Sequence, residues 1–147
     1  MIRSVLVVCV GNICRSPVGE RLLARAHPGL TVRSAGLHAV VGAGADPDAA
    51  AAAGEIGLAL DGHVSRQLTD EMGRAHDLIL VMEPAHRAEI SRRFPQLSGR
   101  TMVIDHWLGG KGIADPFRRP MAMHREVRDL IVAAADSWGP RLAPPRR

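Results

Sequence analysis

The stretch that decides the fold runs Arg3-Ser-Val-Leu-Val-Val-Cys9, then Val10-Gly-Asn-Ile-Cys14, then Arg15-Ser-Pro17. Its first part is a short apolar run, rich in β-branched residues and closed by Gly11, which reads as a strand buried on both faces. Its last part, Ser16-Pro17-x-x-Glu20, reads as a helix start. Ser16 is predicted at the N-cap, Pro17 at the first helical position and Glu20 within the first turn. Strand, tight turn and helix therefore follow one another directly, and the helix runs to about His27, where Pro28-Gly29 stops it.

Working outward, the same alternation continues. Leu30–Ser34 reads as a second strand and Ala35–Asp46 as a Gly-rich loop, followed by a helix from Pro47 to about Glu55 that Gly57 ends. Asp70–Arg74 is a short helix, Asp77–Met82 a buried strand, and Pro84–Arg93 a helix halted before Pro95. Thr101–Ile104 is a fourth strand and Gly109–Arg119 a loop. Pro120–Trp138 closes the chain as a helix with Met123, Val127, Leu130, Ile131 and Ala134 at three- and four-residue spacing. Near-continuous apolar strands separated by helices imply an α/β fold, a four-stranded parallel sheet with helices on both faces, in one domain over residues 1–147. Ligands of such sheets sit at the carboxyl ends of the strands, near a topological switch point.

Composition narrows the function. At 147 residues, 46% apolar and 23% charged, the chain suits one globular domain. No run approaches the roughly 18 apolar residues of a membrane span, and Val5–Val8 is too short for a signal h-region, so a cytoplasmic protein without membrane insertion is expected. Two cysteines, Cys9 and Cys14, exclude a disulfide scaffold and a zinc site of two Cys pairs. The net charge of +4 is unevenly spread. Residues 1–33 carry five Arg against Glu20, residues 34–117 seven basic against eleven acidic groups, and residues 118–147 seven Arg against three acids. This favours an anionic partner. With only Phe94, Trp107, Phe117 and Trp138 as aromatics and no basic–aromatic interleaving, nucleic acid is not that partner. Clustered Arg suits phosphate, whose oxygens the guanidinium fork meets two at a time. Pro144-Pro-Arg-Arg147 reads as a solvated tail.

Cys9 ends the first strand, and Arg15 follows six positions on at the helix start. Between them, the amides of Val10, Gly11, Asn12, Ile13 and Cys14 can point around one centre as an anion nest, reinforced by the helix terminus. The same donors favour an ionised sulfur at the strand end. Gly11 permits close backbone approach or positive φ, and Asn12 tolerates the left-handed conformation. The bland alternative for Cys9 is a core cysteine that happens to end a strand. Two Asp-Pro pairs occur, and spacing does not choose between them. Asp46-Pro47 precedes an Ala-rich helix and suits an N-cap, whereas Asp115-Pro116 lies in the late loop. Six histidines (27, 38, 76, 86, 106 and 124) show no metal-ligand spacing and default to the surface or to helix ends.

The full loop resembles the phosphate-binding loop of the low-molecular-weight protein tyrosine phosphatases. Ser34-Ala-Gly36, His63-Val-Ser-Arg-Gln67 and Asp115-Pro116-Phe117 extend the likeness over nearly the whole chain. Ala39-Val-Val-Gly42, Gly44-Ala-Asp-Pro47 and His106-Trp107 are similar to the bacterial branch that acts on exopolysaccharide tyrosine autokinases. The resemblance implies a flavodoxin-like fold of the phosphotyrosine phosphatase I type and hydrolysis of phosphotyrosine through a phosphocysteine, without metal or cofactor. It casts Cys9 as nucleophile, with Arg15 and the amides of residues 10–15 as phosphoryl ligands and Ser16 as hydrogen-bond donor to the leaving sulfur. It makes Asp115 the acid and base, and places Asn12, Ser34 and His63 in a supporting network. Val40, Val41 and Phe117 are rim candidates, although isolated apolar loop residues are as often simple packing. Cys14 is open between a packing role and a reversible disulfide with Cys9, which the resemblance favours. The implied partner is a phosphotyrosine protein, a membrane tyrosine autokinase, met by a monomer or weak oligomer. The rival reading is an arsenate reductase on the related scaffold.

Overall fold

A computed structural model describes residues 1–142; the Pro144–Arg147 tail lies outside the described residues. Among these residues four strands form one parallel sheet: β1 (Ser4–Cys9), β2 (Thr31–Gly36), β3 (Leu78–Val81) and β4 (Thr101–Val103). Their spatial order is β2-β1-β3-β4. Ser4 to Cys9 pair with Thr31 to Gly36, while Val5 to Val8 pair with Leu78 to Val81 on the other side. Among the described residues the α-helices are α1 (Arg15–Ala26), α2 (Pro47–Gly54), α3 (Asp70–Arg74), α4 (Pro84–Arg93) and α5 (Met121–Trp138).

Strand alternation sorts the core into two layers. Val5, Val7 and Cys9 face a cluster containing Val18, Leu22 and Leu23 of α1 and Val127, Ile131 and Trp138 of α5. Leu6 and Val8 face the other layer, with Ile90 of α4 and Leu97 of a following 3-10 turn. The central strand is thus buried on both sides, which is why its sequence is a continuous apolar run rather than an alternating one. The Trp138 indole N–H donates to the Ile104 carbonyl at 2.7 Å, pinning the end of α5 to the segment just beyond β4.

The chain leaves β1 toward β2 and leaves β3 toward β4, in opposite lateral directions. The carboxyl ends of β1 and β3 therefore flank the switch point, where a crevice forms. Two expectations are corrected there. The second strand extends to Gly36, two residues past Ser34, because its small Ala35-Gly36 end keeps pairing with β1 and Gly36 N–H donates to Arg66 O at 2.8 Å. The first helix begins at Arg15 with Cys14 as its N-cap and no side-chain cap bond, so Ser16 is not the cap and Glu20 is beyond the first turn. Ser16 and Glu20 have other partners, described below.

Candidate active site

Cys9 is 2% exposed, and its Sγ lies 3.0 Å from the Ser16 hydroxyl. The serine withheld from helix capping thus sits at the sulfur. Among the described residues, the N–H groups of Gly11, Asn12, Ile13 and Cys14 donate to no protein acceptor. Four consecutive unspent donors that run into the start of a helix make an anion nest. The left-handed residue of the loop is Asn12, at φ 59°; Gly11 is not one, and a Cβ there would make only ordinary contacts, 3.6 Å from side-chain atoms of Ile13 and Val40, so neither positive φ nor close backbone approach requires a glycine at this position.

Asn12 is fully buried, and every polar atom of its side chain is used. Its Nδ2 donates to Ser16 Oγ at 2.7 Å and to Ser34 Oγ at 3.0 Å, and its Oδ1 accepts from Arg66 N–H at 2.9 Å. Its carbonyl accepts from Ser65 Oγ at 2.7 Å and lies 2.6 Å from His63 Nε2. Ser34 in turn donates to Glu20 Oε1 at 2.6 Å. A left-handed non-glycine residue is costly and persists where surroundings over-determine it. Here β2, α1 and the 63–66 segment all converge on it. Ser34 and His63 therefore meet Asn12, while Ser65, Arg66 and Glu20 complete a network that residue type alone did not single out.

Arg15 is 1% exposed, and its guanidinium is divided between two tasks. Nη1 donates to Glu83 Oε2 at 2.5 Å and to the Ile113 carbonyl at 2.7 Å. Among the described residues, Nη2 is buried without a hydrogen-bond partner, and Asp115 Oδ2 lies 4.0 Å from it. A buried cationic N–H left unsatisfied costs free energy unless a ligand meets it. One edge of the fork is thus anchored and the other offered. Glu83, which sequence reading passed over, directly follows the Leu78–Met82 apolar run. A carboxylate at the carboxyl edge of a buried strand, at a switch point, was the signal available for it.

His86 packs behind this pair, with Nε2 3.3 Å from Glu83 Oε2. Burial, then the neighbouring Arg15 charge, push its pKa below the usual histidine value. His76, His86 and His124 are buried rather than at the surface, and each lies at a helix end, the other placement expected of them. The Cys14 thiol is also buried, and its pKa is driven far upward by burial first and then by the Asp46 and Asp115 carboxylates. Both cysteines are free thiols.

Asp115 reaches the crevice because its loop is tied down on the way. Gly112 N–H donates to Asp105 Oδ2 at 2.9 Å and Ile113 N–H to Met82 O at 2.8 Å. Gly112 has φ 96° and packs so close that an added Cβ would lie 3.0 Å from Pro84 and 3.2 Å from Glu83 Cα. The Asp115 side chain remains about half exposed. Asp46, the other Asp-Pro residue, caps α2 by accepting from Ala49 N–H at 3.1 Å. Val40 lies over the loop, its N–H bonded to the Gly11 carbonyl at 3.0 Å, and Phe117 N–H donates to Asp115 Oδ1 at 3.0 Å. Val41, 70% exposed, projects to solvent.

The family described as low molecular weight phosphotyrosine protein phosphatase matches residues 4–144 of this chain. The low molecular weight protein-tyrosine-phosphatase Etp of Escherichia coli (strain K12) is 46% identical over 140 residues, 95% of either chain. The probable low molecular weight protein-tyrosine-phosphatase AmsI of Erwinia amylovora is 47% identical over 138 residues, covering 94% of this chain and 96% of that one. Among solved structures, the tyrosine phosphatase Wzb from Escherichia coli K30 in complex with sulphate superposes with a TM-score of 0.95 at 43% identity, over 97% of this chain and 100% of that one. Among the described residues, no helix is long and apolar enough to cross a membrane.

Proposed function

This chain belongs to the low molecular weight phosphotyrosine protein phosphatase family and is a protein-tyrosine phosphatase, and from that premise we propose a covalent mechanism with Cys9 as nucleophile. One observation carries the reading. Four unspent amides and the unpartnered Arg15 Nη2 follow a cysteine whose sulfur meets Ser16. The sulphate complex of the related Wzb structure concerns a tetrahedral oxyanion of the kind such donors suit.

In this mechanism the amides of residues 10–15 and the Arg15 Nη2 edge hold the phosphoryl oxygens. The Cys9 thiolate attacks phosphorus, the S–P bond forms and the P–O bond to the phenolate breaks. Asp115 gives its proton to the departing oxygen, which yields tyrosine and a phosphocysteine. The Asp115 carboxylate then takes a proton from water as that water attacks phosphorus. The S–P bond breaks, and the thiolate leaves while accepting a hydrogen bond from Ser16. Asn12, with Ser34 and His63 behind it, keeps Ser16 aimed at the sulfur. No metal or cofactor takes part, because backbone dipoles and the guanidinium offset the phosphoryl charge. Val40, Val41 and Phe117 form the apolar rim for the aromatic ring, and Cys14 is the resolving thiol for an oxidised Cys9.

The proposed substrate is a phosphotyrosine protein, specifically a membrane tyrosine autokinase of polysaccharide export, met in the cytoplasm by a monomer or weak oligomer. Arsenate reduction on this scaffold would need an external thiol, since Cys9 and Cys14 are the only cysteines. Hydrolysis of p-nitrophenyl phosphate and of a phosphotyrosine peptide, in the presence of a chelator, tests the reading. Wild type should turn over both, and Cys9→Ser neither. Activity surviving in Cys9→Ser refutes the covalent step, and thiol-dependent arsenate turnover would favour the rival.

A further inference from the structure

We propose that Asp46, Asp48 and His124 form a divalent-cation site that joins the N-terminus of α2 to α5, outside the catalytic crevice. One ligand atom from each of these residues lies within 4.8 Å of the others. His124 projects from the first turns of α5, and its side chain is 1% exposed. Among the described residues, neither of its ring nitrogens has a hydrogen-bond partner, and Nε2 lies 4.0 Å from Asp48 Oδ2. Buried imidazoles normally find a partner for at least one nitrogen. This one instead points at two carboxylates.

The carboxylates are available to a cation. Arg125 and Arg128, the cationic groups that α5 turns toward α2, are engaged by Glu55 at the opposite end of that helix. Among the described residues, no Lys or Arg pairs with Asp46 or Asp48. Asp46 spends Oδ2 on capping α2, leaving its other oxygen as a ligand. Two carboxylates face a helix end whose partial positive charge is only about half a unit.

One imidazole nitrogen and two carboxylate oxygens suit zinc or a neighbouring transition ion better than calcium or magnesium. Tetrahedral zinc, with ligands at ~2.0–2.1 Å, needs them roughly 3.3 Å apart. The Asp48 side chain is 56% exposed and free to close that gap, and its exposure leaves the fourth position to water. Asp46 N–H also donates to the Ile13 carbonyl at 2.8 Å, so an ion here would clip α5 to the far side of the phosphate-binding loop. Its effect is on stability rather than on the chemical step.

Zinc titrated calorimetrically into the full chain carrying Cys9→Ser and Cys14→Ser tests this without thiol competition. The expected result is one saturable equivalent, with affinity reduced at least tenfold by Asp48→Asn, a surface change that leaves folding intact. His124→Phe should abolish binding, and zinc should raise Tm in the parent but not in Asp48→Asn. Cobalt at the site should show ligand-field bands. Absence of saturation at millimolar zinc, or equal affinity in the parent and Asp48→Asn, overturns the proposal.

Discussion

Replacing Gly36 with Ala tests whether the packing of β2 against β1 sets the position of the phosphate-binding loop. A Cβ at residue 36 would lie 2.5 Å from the Val10 carbonyl oxygen, 2.9 Å from Ala39 Cβ and 3.0 Å from Ala39 Cα. Two of the three obstacles are backbone atoms, so no flexible side-chain tip can give way. To reach 3.0 Å, the limit that real Cβ contacts respect, Val10 O must retreat by 0.5 Å; ordinary contact at 3.4 Å requires 0.9 Å. Val10 cannot retreat alone, because Leu37 N–H is bonded to Cys9 O at 2.9 Å and His38 N–H to Val10 O at 3.0 Å. The displacement therefore passes into the loop that follows Cys9. A misplacement near 1 Å at reacting atoms costs about 10²-fold, and overpacking of a tight site costs about 1–3 kcal/mol. Gly36→Ala should accordingly lower kcat/KM for p-nitrophenyl phosphate by roughly 10- to 100-fold and weaken phosphate inhibition in parallel. Its urea midpoint should also fall, by an amount matching that overpacking cost. If stability falls while kcat/KM stays within about threefold, the strain has been absorbed at Ala39, and the claim that β2 positions the loop is refuted.

Asp115→Asn should slow phosphotyrosine turnover by about 10²–10⁴-fold but slow an ester with a much more acidic leaving group far less; equal slowing of both, in paired steady-state assays, removes the proton-donor role. Glu83→Ala leaves the buried Arg15 cation with one hydrogen bond, to the Ile113 carbonyl, and the half-exposed Asp115 carboxylate 4.0 Å away. It should cost about 3 kcal/mol, the low end for an orphaned buried charge because solvent reaches Glu83, and raise KM for phosphate esters; urea denaturation and kinetics check both. Burial lowers the pKa of His76 and of His86 in the folded state. The unfolded chain therefore takes up protons first as pH falls below about 6.5, so stability should decline from pH 7 toward 5. In denaturation curves against pH, His86→Gln should flatten that decline; an unchanged slope would mean His86 does not drive it.

The strand-turn-helix stretch was legible because its physics is local. An apolar run of β-branched residues, a Gly-Asn turn and a Ser-Pro near the helix start leave few alternatives, and α3 and α4 were bounded correctly from equally local signals. The end of β2 was not legible. Ala35 and Gly36 carry no strand signal of their own and are strand only because β1 lies alongside them. The helix cap failed for a related reason. Ser16 has the right type and spacing for an N-cap, but Cys9 and Asn12 compete for its hydroxyl, and that competition exists only after the turn closes.

What the residues alone determined is the chemistry on offer: a cysteine at a strand end, an arginine six positions later and an aspartate in a late loop, with a parallel sheet to carry them. Only the tertiary structure decided which partners restrain them. Glu83 is 68 residues from Arg15, Ile113 is 98, and Arg66 is 54 from Asn12. Contacts at that separation depend on how the strands are ordered and on which loops the switch point brings together. Burial then fixes which nitrogen of Arg15 is spent and which is left for an anion. Sequence spacing records neither, because hydrogen bonds and desolvation act across space and not along the chain.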